Sequence, residues 1–112
     1  MRPTPRLAAA KGIEDCASKL KVLADPTRLG VLSTLLSAPR HVAELSAELC
    51  VEQSLMSHHL RVLRDAGLVE TRRDGRSVLY HIAPGALAVE GDARALRLGC
   101  CDLSFEAIGL PK

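Results

Sequence analysis

The segment VAELSAELCVEQSLMSHHLRVLRDAGLVETRRDGRSVLYHI, residues 42–82, changes the spacing of its apolar residues part of the way along. From Val42 to Leu49 the apolar residues are three or four positions apart, which predicts a short helix. Cys50-Val51-Glu52 is predicted to form a turn, and a second helix is predicted from Gln53 to about Ala66. Two short helices joined by a tight turn predict a helix-turn-helix motif.

After this motif the spacing of the apolar residues changes to two, which indicates extended strands. The runs Val69–Arg73 and Ser77–Ile82 flank Asp74-Gly75. Asp-Gly between two extended runs is a strong signal for a β-hairpin. A hairpin placed directly after a helix-turn-helix predicts a winged helix.

Further helices are predicted on both sides of this unit. Apolar residues recur at helical spacing from Ile13 to Ala24. The next helix starts at Asp25-Pro26, where Asp caps the helix and Pro takes its first position, and it stops near Ala38-Pro39. A last helix is predicted from Pro84 to about Leu98, with Gly99 ending it.

The predicted fold class is therefore mostly α with a β-hairpin, a winged helix-turn-helix in the order α-α-α-α-β-β-α. Residues 1–12 lack an apolar period and are predicted to be a flexible N-terminal arm. Residues 13–98 are predicted to form one winged-helix domain for DNA binding and dimerisation. Residues 99–112 are predicted to be a C-terminal tail that carries two adjacent cysteines.

Composition restricts the class of protein. The 112 residues are too few for two independent cores, and 47% hydrophobic with 25% charged residues is typical of a globular chain. No apolar run exceeds four residues, and Leu7-Ala8-Ala9-Ala10 is too short for a secretory signal. We therefore expect a cytoplasmic protein without a membrane partner. The net charge of +2 neither requires nor excludes a polyanionic partner.

Ordered motifs over roughly residues 15–85 resemble a known family. They are Leu23-Ala24-Asp25-Pro26-Thr27-Arg28, Gln53-Ser54-Leu55-Met56-Ser57-His58-His59-Leu60, Leu63-Arg64-Asp65-Ala66-Gly67-Leu68-Val69, and Arg73-Asp74-Gly75-Arg76 with Tyr80. In these motifs the chain resembles the ArsR/SmtB family of bacterial metal-responsive repressors. The resemblance implies a transcriptional repressor, not an enzyme, that binds double-stranded operator DNA as a homodimer.

The helix from Gln53 to Ala66 is the predicted DNA-reading helix. Burial of Met56, Leu60 and Leu63 turns its polar residues toward the opposite face, where they can bond base edges or phosphates. By resemblance, the groove-facing residues are Gln53, Ser54, Ser57 and His58. His59 lies at the margin of the apolar stripe and is equally compatible with a structural histidine. The candidate DNA-binding residues are Gln53, Ser54, Ser57, His58, His59, Arg61, Arg64, Arg72, Arg73 and Arg76.

Positive charge is concentrated around the hairpin. Five arginines and three acidic residues lie between Gln53 and His81. Arg72, Arg73 and Arg76 surround the hairpin tip, where a wing would meet phosphates or the minor groove, although charge also protects hairpin edges from pairing. One recognition helix reads few base pairs, so we expect a two-fold dimer, with the first and last helices as its interface.

Neither metal site familiar from this family is intact. The third helix of metal-sensing members opens with Cys-Val-Cys-Asp-Leu, and the matching residues here are His41-Val42-Ala43-Glu44-Leu45. The predicted last helix has Glu90 and Asp92 but no histidine. Cys100 and Cys101 are adjacent, with Cα atoms about 3.8 Å apart, so a bridge between them would be strained and reduced thiols are favoured.

These adjacent thiols are the candidate ligands of a thiophilic ion. The predicted metal ligands are Cys100, Cys101 and Cys16, with Cys16 supplied by the same chain or by its partner. Cys50 is the alternative third ligand. Soft sulfur selects soft ions, and arsenite, antimonite, mercury, cadmium, lead and copper(I) are all compatible. The ion is predicted to act as the inducer that releases the repressor from DNA.

Three alternatives remain. In a redox-sensing or sulfide-sensing repressor, Cys16 or Cys50 pairs with a tail cysteine on oxidation. In an ordinary winged-helix regulator, the cysteines are incidental small hydrophobic residues. A thiol enzyme or metal carrier is disfavoured, because the sequence has no Cys-x-x-Cys, no recognisable Cys-His catalytic motif and no glycine-rich phosphate loop.

Overall fold

The computed structural model describes the backbone of residues 7–105 and the side chains of residues 12–105. Its helices are α1 Leu7–Leu23, α2 Pro26–Ser37, α3 Val42–Leu49 and α4 Gln53–Asp65. Its strands are β1 Arg40–His41, β2 Val69–Asp74, β3 Ser77–Ile82, β4 Leu87–Glu90, β5 Ala93–Arg97 and β6 Asp102–Leu103. Helices α3 and α4 form the helix-turn-helix, and strands β2 and β3 form the wing. The predicted winged helix-turn-helix is confirmed.

Local sequence explains where α2 starts and where α3 ends. Asp25 caps α2 by accepting a hydrogen bond from the backbone N–H of Arg28 at 3.0 Å, and Pro26 follows at the first helical position. The C-cap of α3 is Cys50, whose left-handed backbone (φ 55°) turns the chain toward α4. The aliphatic faces of the four helices and the wing then meet in one core, whose largest fully buried members are Leu32, Leu45, Met56, Leu60, Leu63, Leu68, Leu96 and Leu98.

The sheet that contains the wing has one strand more than the sequence predicts. Strand β1 pairs with β3, which pairs with β2, and all three are antiparallel. Asp74 pairs with Ser77, so the turn consists of Gly75 and Arg76 rather than Asp74 and Gly75. Gly75 has φ 65°, as the first central residue of a type II′ hairpin turn requires.

The N-terminal prediction needs correction. Helix α1 begins at Leu7 rather than at Ile13, so the second half of the predicted arm is helical. Residues 1–6 of that arm lie outside the described residues. A 17-residue helix that starts at Leu7 joins Leu7-Ala8-Ala9-Ala10 to the apolar period that follows, and Ala and Leu both favour helices.

The predicted last helix is wrong. Pro84–Ala86 form a single 3₁₀ turn, and strands β4, β5 and β6 then make a second antiparallel sheet. Gly91, with φ 63°, forms the turn between β4 and β5, and Leu87 pairs with Leu96 across the ladder. The Gly91-Asp92 pair is a hairpin signal that outweighs the helix propensity of the neighbouring alanines and leucines.

The adjacent cysteines consequently lie on a hairpin turn. The N–H of Leu98 donates to the carbonyl of Cys101 at 2.9 Å, which closes the turn between β5 and β6. Asp102 and Leu103 of the predicted tail form strand β6, and residues 106–112 of the tail lie outside the described residues. Within residues 7–105, no helix combines the length and apolar character needed to span a bilayer.

Candidate nucleic-acid interface and cysteine cluster

One face of α4 is polar and exposed. Met56, Leu60 and Leu63 are fully buried, so the residues between them project outward, as the helical spacing predicts. The exposed residues that were predicted to contact DNA are Gln53, Ser54, Ser57, His58, Arg61 and Arg64. The hydroxyl of Ser54 donates to the carboxylate of Glu52 at 2.7 Å and keeps its lone pairs free to accept.

Leu55 is an exposed residue on this helix that the sequence analysis missed. It is 48% exposed, although it is large and apolar. An apolar side chain on a recognition helix can contact the methyl group of thymine. The sequence could have indicated its exposure, because Leu55 does not share the helical spacing of Met56, Leu60 and Leu63.

His59 does not share the exposed face. It is 8% exposed, and its Nδ1 accepts a hydrogen bond from Nε of Arg28 at 3.1 Å. The positions 56, 59, 60 and 63 have the i, i+3, i+4, i+7 spacing of a buried helix face, which is the physical reason. The structure therefore does not place His59 with the predicted groove-facing residues, and the structural alternative fits its geometry.

We expect the buried imidazole of His59 to make folding sensitive to acid. Burial lowers the pKa of His59 below its ordinary value of 6.5; Asp25 opposes this shift, and the charges of Arg28 and His58 add to it. As the pH drops below about 6.5, the unfolded chain therefore binds a proton at His59 more readily than the folded chain does. The free energy of unfolding falls as a result.

Denaturant unfolding between pH 7 and pH 5 measures this effect. The free energy of unfolding of His59→Gln should fall less steeply with acid than that of the wild-type chain. His58→Gln replaces the exposed neighbour in the same helix, whose charge is the smallest of the contributions to the His59 shift, so its slope should stay closer to that of wild type than the slope of His59→Gln does. Equal slopes for wild type and His59→Gln would contradict the assignment.

The wing presents arginines to solvent and is attached to the helix-turn-helix. Arg72, Arg73 and Arg76 are all exposed around its tip. His41, directly before α3, lies 3.0 Å through Nε2 from the carboxylate of Asp74 and 3.0 Å through Nδ1 from the carbonyl oxygen of Val78. This role of His41 cannot be predicted from local sequence, because its partners are 33 and 37 residues away.

Three of the four cysteines lie together. The sulfur atoms of Cys16, Cys100 and Cys101 are all within 4.8 Å of one another, in a group that we call the cysteine cluster. Cys16 is buried in α1, whereas Cys100 and Cys101 are exposed on the β5–β6 turn. The three predicted ligands thus come together within a single chain. Cys50 is exposed on the helix-turn-helix turn and is not part of the cluster.

The expectation of reduced thiols needs correction. Cys16 and Cys100 form a disulfide, with Cα atoms 5.9 Å apart, a separation common for such bridges. The sulfur of Cys101 lies 3.8 Å from that of Cys100 and stays a free thiol. Adjacency excludes only a relaxed 100–101 bridge, and the β5–β6 turn brings Cys100 against α1 instead.

The cluster has two mutually exclusive uses. When it is reduced, three sulfur ligands on one side of the domain can converge on one soft cation. When it is oxidised, two of these sulfurs bond each other and are no longer thiolates. Among the described side chains, this is the one group of three or more metal-ligating residues close enough to share an ion.

The chain is similar in sequence to bacterial regulators. Residues 25–71 match the family described as bacterial regulatory protein, arsR family. The chain is 47% identical over 66 residues to the HTH-type transcriptional regulator NmtR of Mycobacterium tuberculosis, covering 59% of this chain but only 55% of that protein. It is 40% identical over 79 residues to the biofilm growth-associated repressor of Agrobacterium fabrum, covering 70% of this chain and 68% of that protein.

A solved structure shares the fold. The homodimeric winged helix-turn-helix DNA-binding domain Mb0332 of Mycobacterium bovis superimposes with a TM-score of 0.60 at 27% identity, and the match covers 75% of each chain. This likeness agrees with the arrangement of α3, α4 and the β2–β3 wing described above.

Proposed function

We propose, because the chain belongs to the ArsR/SmtB family of bacterial regulatory proteins, that it is a DNA-binding transcriptional repressor controlled by its cysteine cluster. The observation that carries this proposal is the convergence of three sulfur atoms between α1 and the β5–β6 turn of a winged-helix domain. One part of the molecule contacts operator DNA, and another part receives the signal.

The DNA-contacting part is the exposed face of α4 together with the wing. Gln53, Ser54, Ser57 and His58 are proposed to bond base edges in the major groove, since their amide, hydroxyl and imidazole groups suit that role. The arginines of α4 and of the wing tip are proposed to contact phosphates, which fix the register of the protein on the duplex.

The acting form is proposed to be a homodimer. Two recognition helices would read half-sites about 34–36 Å apart, one turn of DNA. Helix α1 supports this, because Ile13 is 63% exposed and Leu20 is 44% exposed, so its apolar surface is incompletely covered within one chain. The second predicted interface helix is not a helix, so α1 carries this part of the proposal.

The proposed signal is a thiophilic metal or metalloid ion. In the reduced protein, Cys16, Cys100 and Cys101 would hold arsenite, antimonite, mercury, cadmium or lead through three sulfur atoms, tying α1 to the β5–β6 turn. Release requires this tied arrangement to be more favourable off DNA than on it. A typical coupling of about 1–3 kcal/mol lowers operator affinity about 5- to 150-fold.

A second candidate signal is oxidation, and the Cys16–Cys100 disulfide favours it. Two thiols give up two protons and two electrons to an oxidant such as hydrogen peroxide, which is reduced to two molecules of water, and one S–S bond forms. The same elements are tied together as in the ion-bound form. The two candidates share the DNA interface and differ only in what closes the cluster.

An operator titration tests the proposal. The reduced chain should bind a palindromic operator duplex with two chains per duplex, as measured by fluorescence anisotropy and sedimentation velocity. Arsenite, antimonite, mercury, cadmium and lead are then added singly, and diamide is added in a separate series, with zinc as the harder comparison ion. At least one should lower affinity about 5- to 150-fold. Unchanged affinity with all of them would exclude control by the cluster, and failure to bind any duplex would exclude the repressor.

A further inference from the structure

We propose that Arg28 transmits the state of the cysteine cluster to the recognition helix α4, as a positioning residue that itself contacts no DNA. This inference rests on the proposed function, because it concerns how the same cluster controls the same helix. Arg28 was part of a sequence motif, but that motif by itself gave it no role.

The first step runs along α1. Cys16 and Val22 lie on the same helix, six residues apart, which is about 9 Å along its axis. Cys16 is 1% exposed and is bonded to Cys100 of the β5–β6 turn. A helix moves as a rigid element, so a displacement of Cys16 that accompanies opening or closing of the cluster also displaces Val22.

The second step is the pair of hydrogen bonds that Arg28 makes. Its Nη1 donates to the carbonyl oxygen of Val22 at 3.1 Å, and its Nε donates to Nδ1 of His59 at 3.1 Å. The guanidinium is planar and its donors have fixed directions, so it cannot follow one acceptor without moving relative to the other. Among the described side chains, Arg28 is the one that hydrogen-bonds both α1 and α4.

The third step is the anchoring of Arg28 itself. Its backbone N–H donates to the cap residue Asp25 at 3.0 Å in the first turn of α2, so the side chain starts from a fixed point. Between α1 and α4, beyond this bridge, lies a cleft of about 530 Å³ lined in part by Ser18, Val22 and Val62. The two helices are not tightly packed there, so the guanidinium is the polar connection that spans them.

The last step reaches the DNA-contacting face. His59 immediately follows Ser57 and His58, which are exposed on the other side of the same helix. His59 is 8% exposed and lies on the buried face of α4 with Met56, Leu60 and Leu63, so its imidazole has little room to move unless the helix turns or tilts. A change in the Val22–Arg28–His59 connection therefore alters the angle at which the exposed residues meet the groove.

The experiment compares operator affinity in two states of the cluster. Arg28→Met keeps most of the aliphatic stem and removes every donor, whereas Arg28→Lys keeps the charge and removes the fork. Arg40→Met is the matched control, because Arg40 also joins a carbonyl, that of Ala38 at 2.9 Å, to a side chain, Glu48 at 2.8 Å, away from α1. The operator affinity of each variant is measured in three separate samples: the reduced chain, the reduced chain with arsenite, and the chain oxidised with diamide.

The expected result is a loss of coupling without a loss of binding. We compare the dissociation constant for operator with the cluster ion-bound or oxidised to that with the cluster reduced. This ratio should be about 5 to 150 for wild type and Arg40→Met and about 1 for both Arg28 variants. A merely structural role would weaken both states equally and leave the ratio unchanged, which would overturn the proposal. A ratio of one in the wild-type chain would overturn the proposed function as well, which separates the two failures.

A readout that does not need DNA keeps the test valid for weak binders. Amide hydrogen exchange of residues 53–65 is compared between the reduced and the diamide-oxidised chain. Oxidation should change the protection of α4 in wild type and leave it unchanged in Arg28→Met and Arg28→Lys. A change of wild-type size in both Arg28 variants would overturn the role of Arg28.

Discussion

Operator binding is expected to weaken about 10³- to 10⁵-fold when the salt concentration rises from 50 to 200 mM, as for proteins that make six to ten phosphate contacts. Five exposed arginines stand on the proposed DNA face of each chain: Arg61, Arg64, Arg72, Arg73 and Arg76. A homodimer would offer about ten, and each phosphate that they neutralise releases condensed counterions. Fluorescence anisotropy at five or more salt concentrations gives the slope of log affinity against log salt.

We expect the wing to account for a defined share of that slope. The triple variant Arg72→Ala, Arg73→Ala, Arg76→Ala should make the slope of log affinity against log salt less negative by about five. A dimer loses six charges, and each contributes about 0.9 to the slope. Arg97→Ala is the control, because Arg97 is also exposed but lies on β5 of the second sheet. A slope that the triple variant leaves unchanged would mean that the wing does not meet phosphate, and an affinity independent of salt would remove the nucleic-acid interface altogether.

The helix-turn-helix and the wing were predictable because their signals are local. Spacing of Met56, Leu60 and Leu63 fixes which face of α4 is buried, and Asp74-Gly75 places the hairpin to within one residue. The last predicted helix failed because Ala and Leu dominate residues 86–98 and favour helix as isolated residues. Pairing of Leu87 with Leu96, around the turn at Gly91, is a non-local gain that propensity does not contain.

The candidate site divides in the same way. The chemistry of thiols groups Cys100 with Cys101, whereas Cys16 joins them only through the packing expected of the first helix against the last predicted one. The structure brings the three together in one chain, although a hairpin replaces that last helix. Their redox state could not be predicted, because it depends on how the fold brings into contact two sulfur atoms whose residues are 84 positions apart. The bond from Arg28 to His59 spans 31 residues and joins two helices, so it too becomes visible only in three dimensions.

The three cysteines of the cluster are expected to have separable roles. The double variant Cys100→Ser, Cys101→Ser should bind operator like wild type in the reduced state. Arsenite or diamide should leave its operator affinity unchanged, whereas they lower that of wild type about 5- to 150-fold. Both side chains are exposed, so exchanging sulfur for oxygen disturbs no core packing. Cys50→Ser, which changes a free exposed thiol outside the cluster, is the matched control and should respond fully.

Cys101→Ser alone then separates the two candidate signals. It leaves Cys16 and Cys100 able to form their disulfide, so release by diamide should persist. It removes one of three sulfur ligands, so release by arsenite should require much higher concentrations, since two thiolates and a hydroxyl bind a soft ion less well than three thiolates do. Prior oxidation of the wild-type chain should also block uptake of arsenite, measured by mass spectrometry under native conditions, because the disulfide leaves no thiolate on Cys16 or Cys100. If Cys101→Ser responds to arsenite at the wild-type concentration, the three-sulfur site is wrong; if it also loses the response to diamide, Cys101 takes part in the oxidative step and the 16–100 bridge is not the signal.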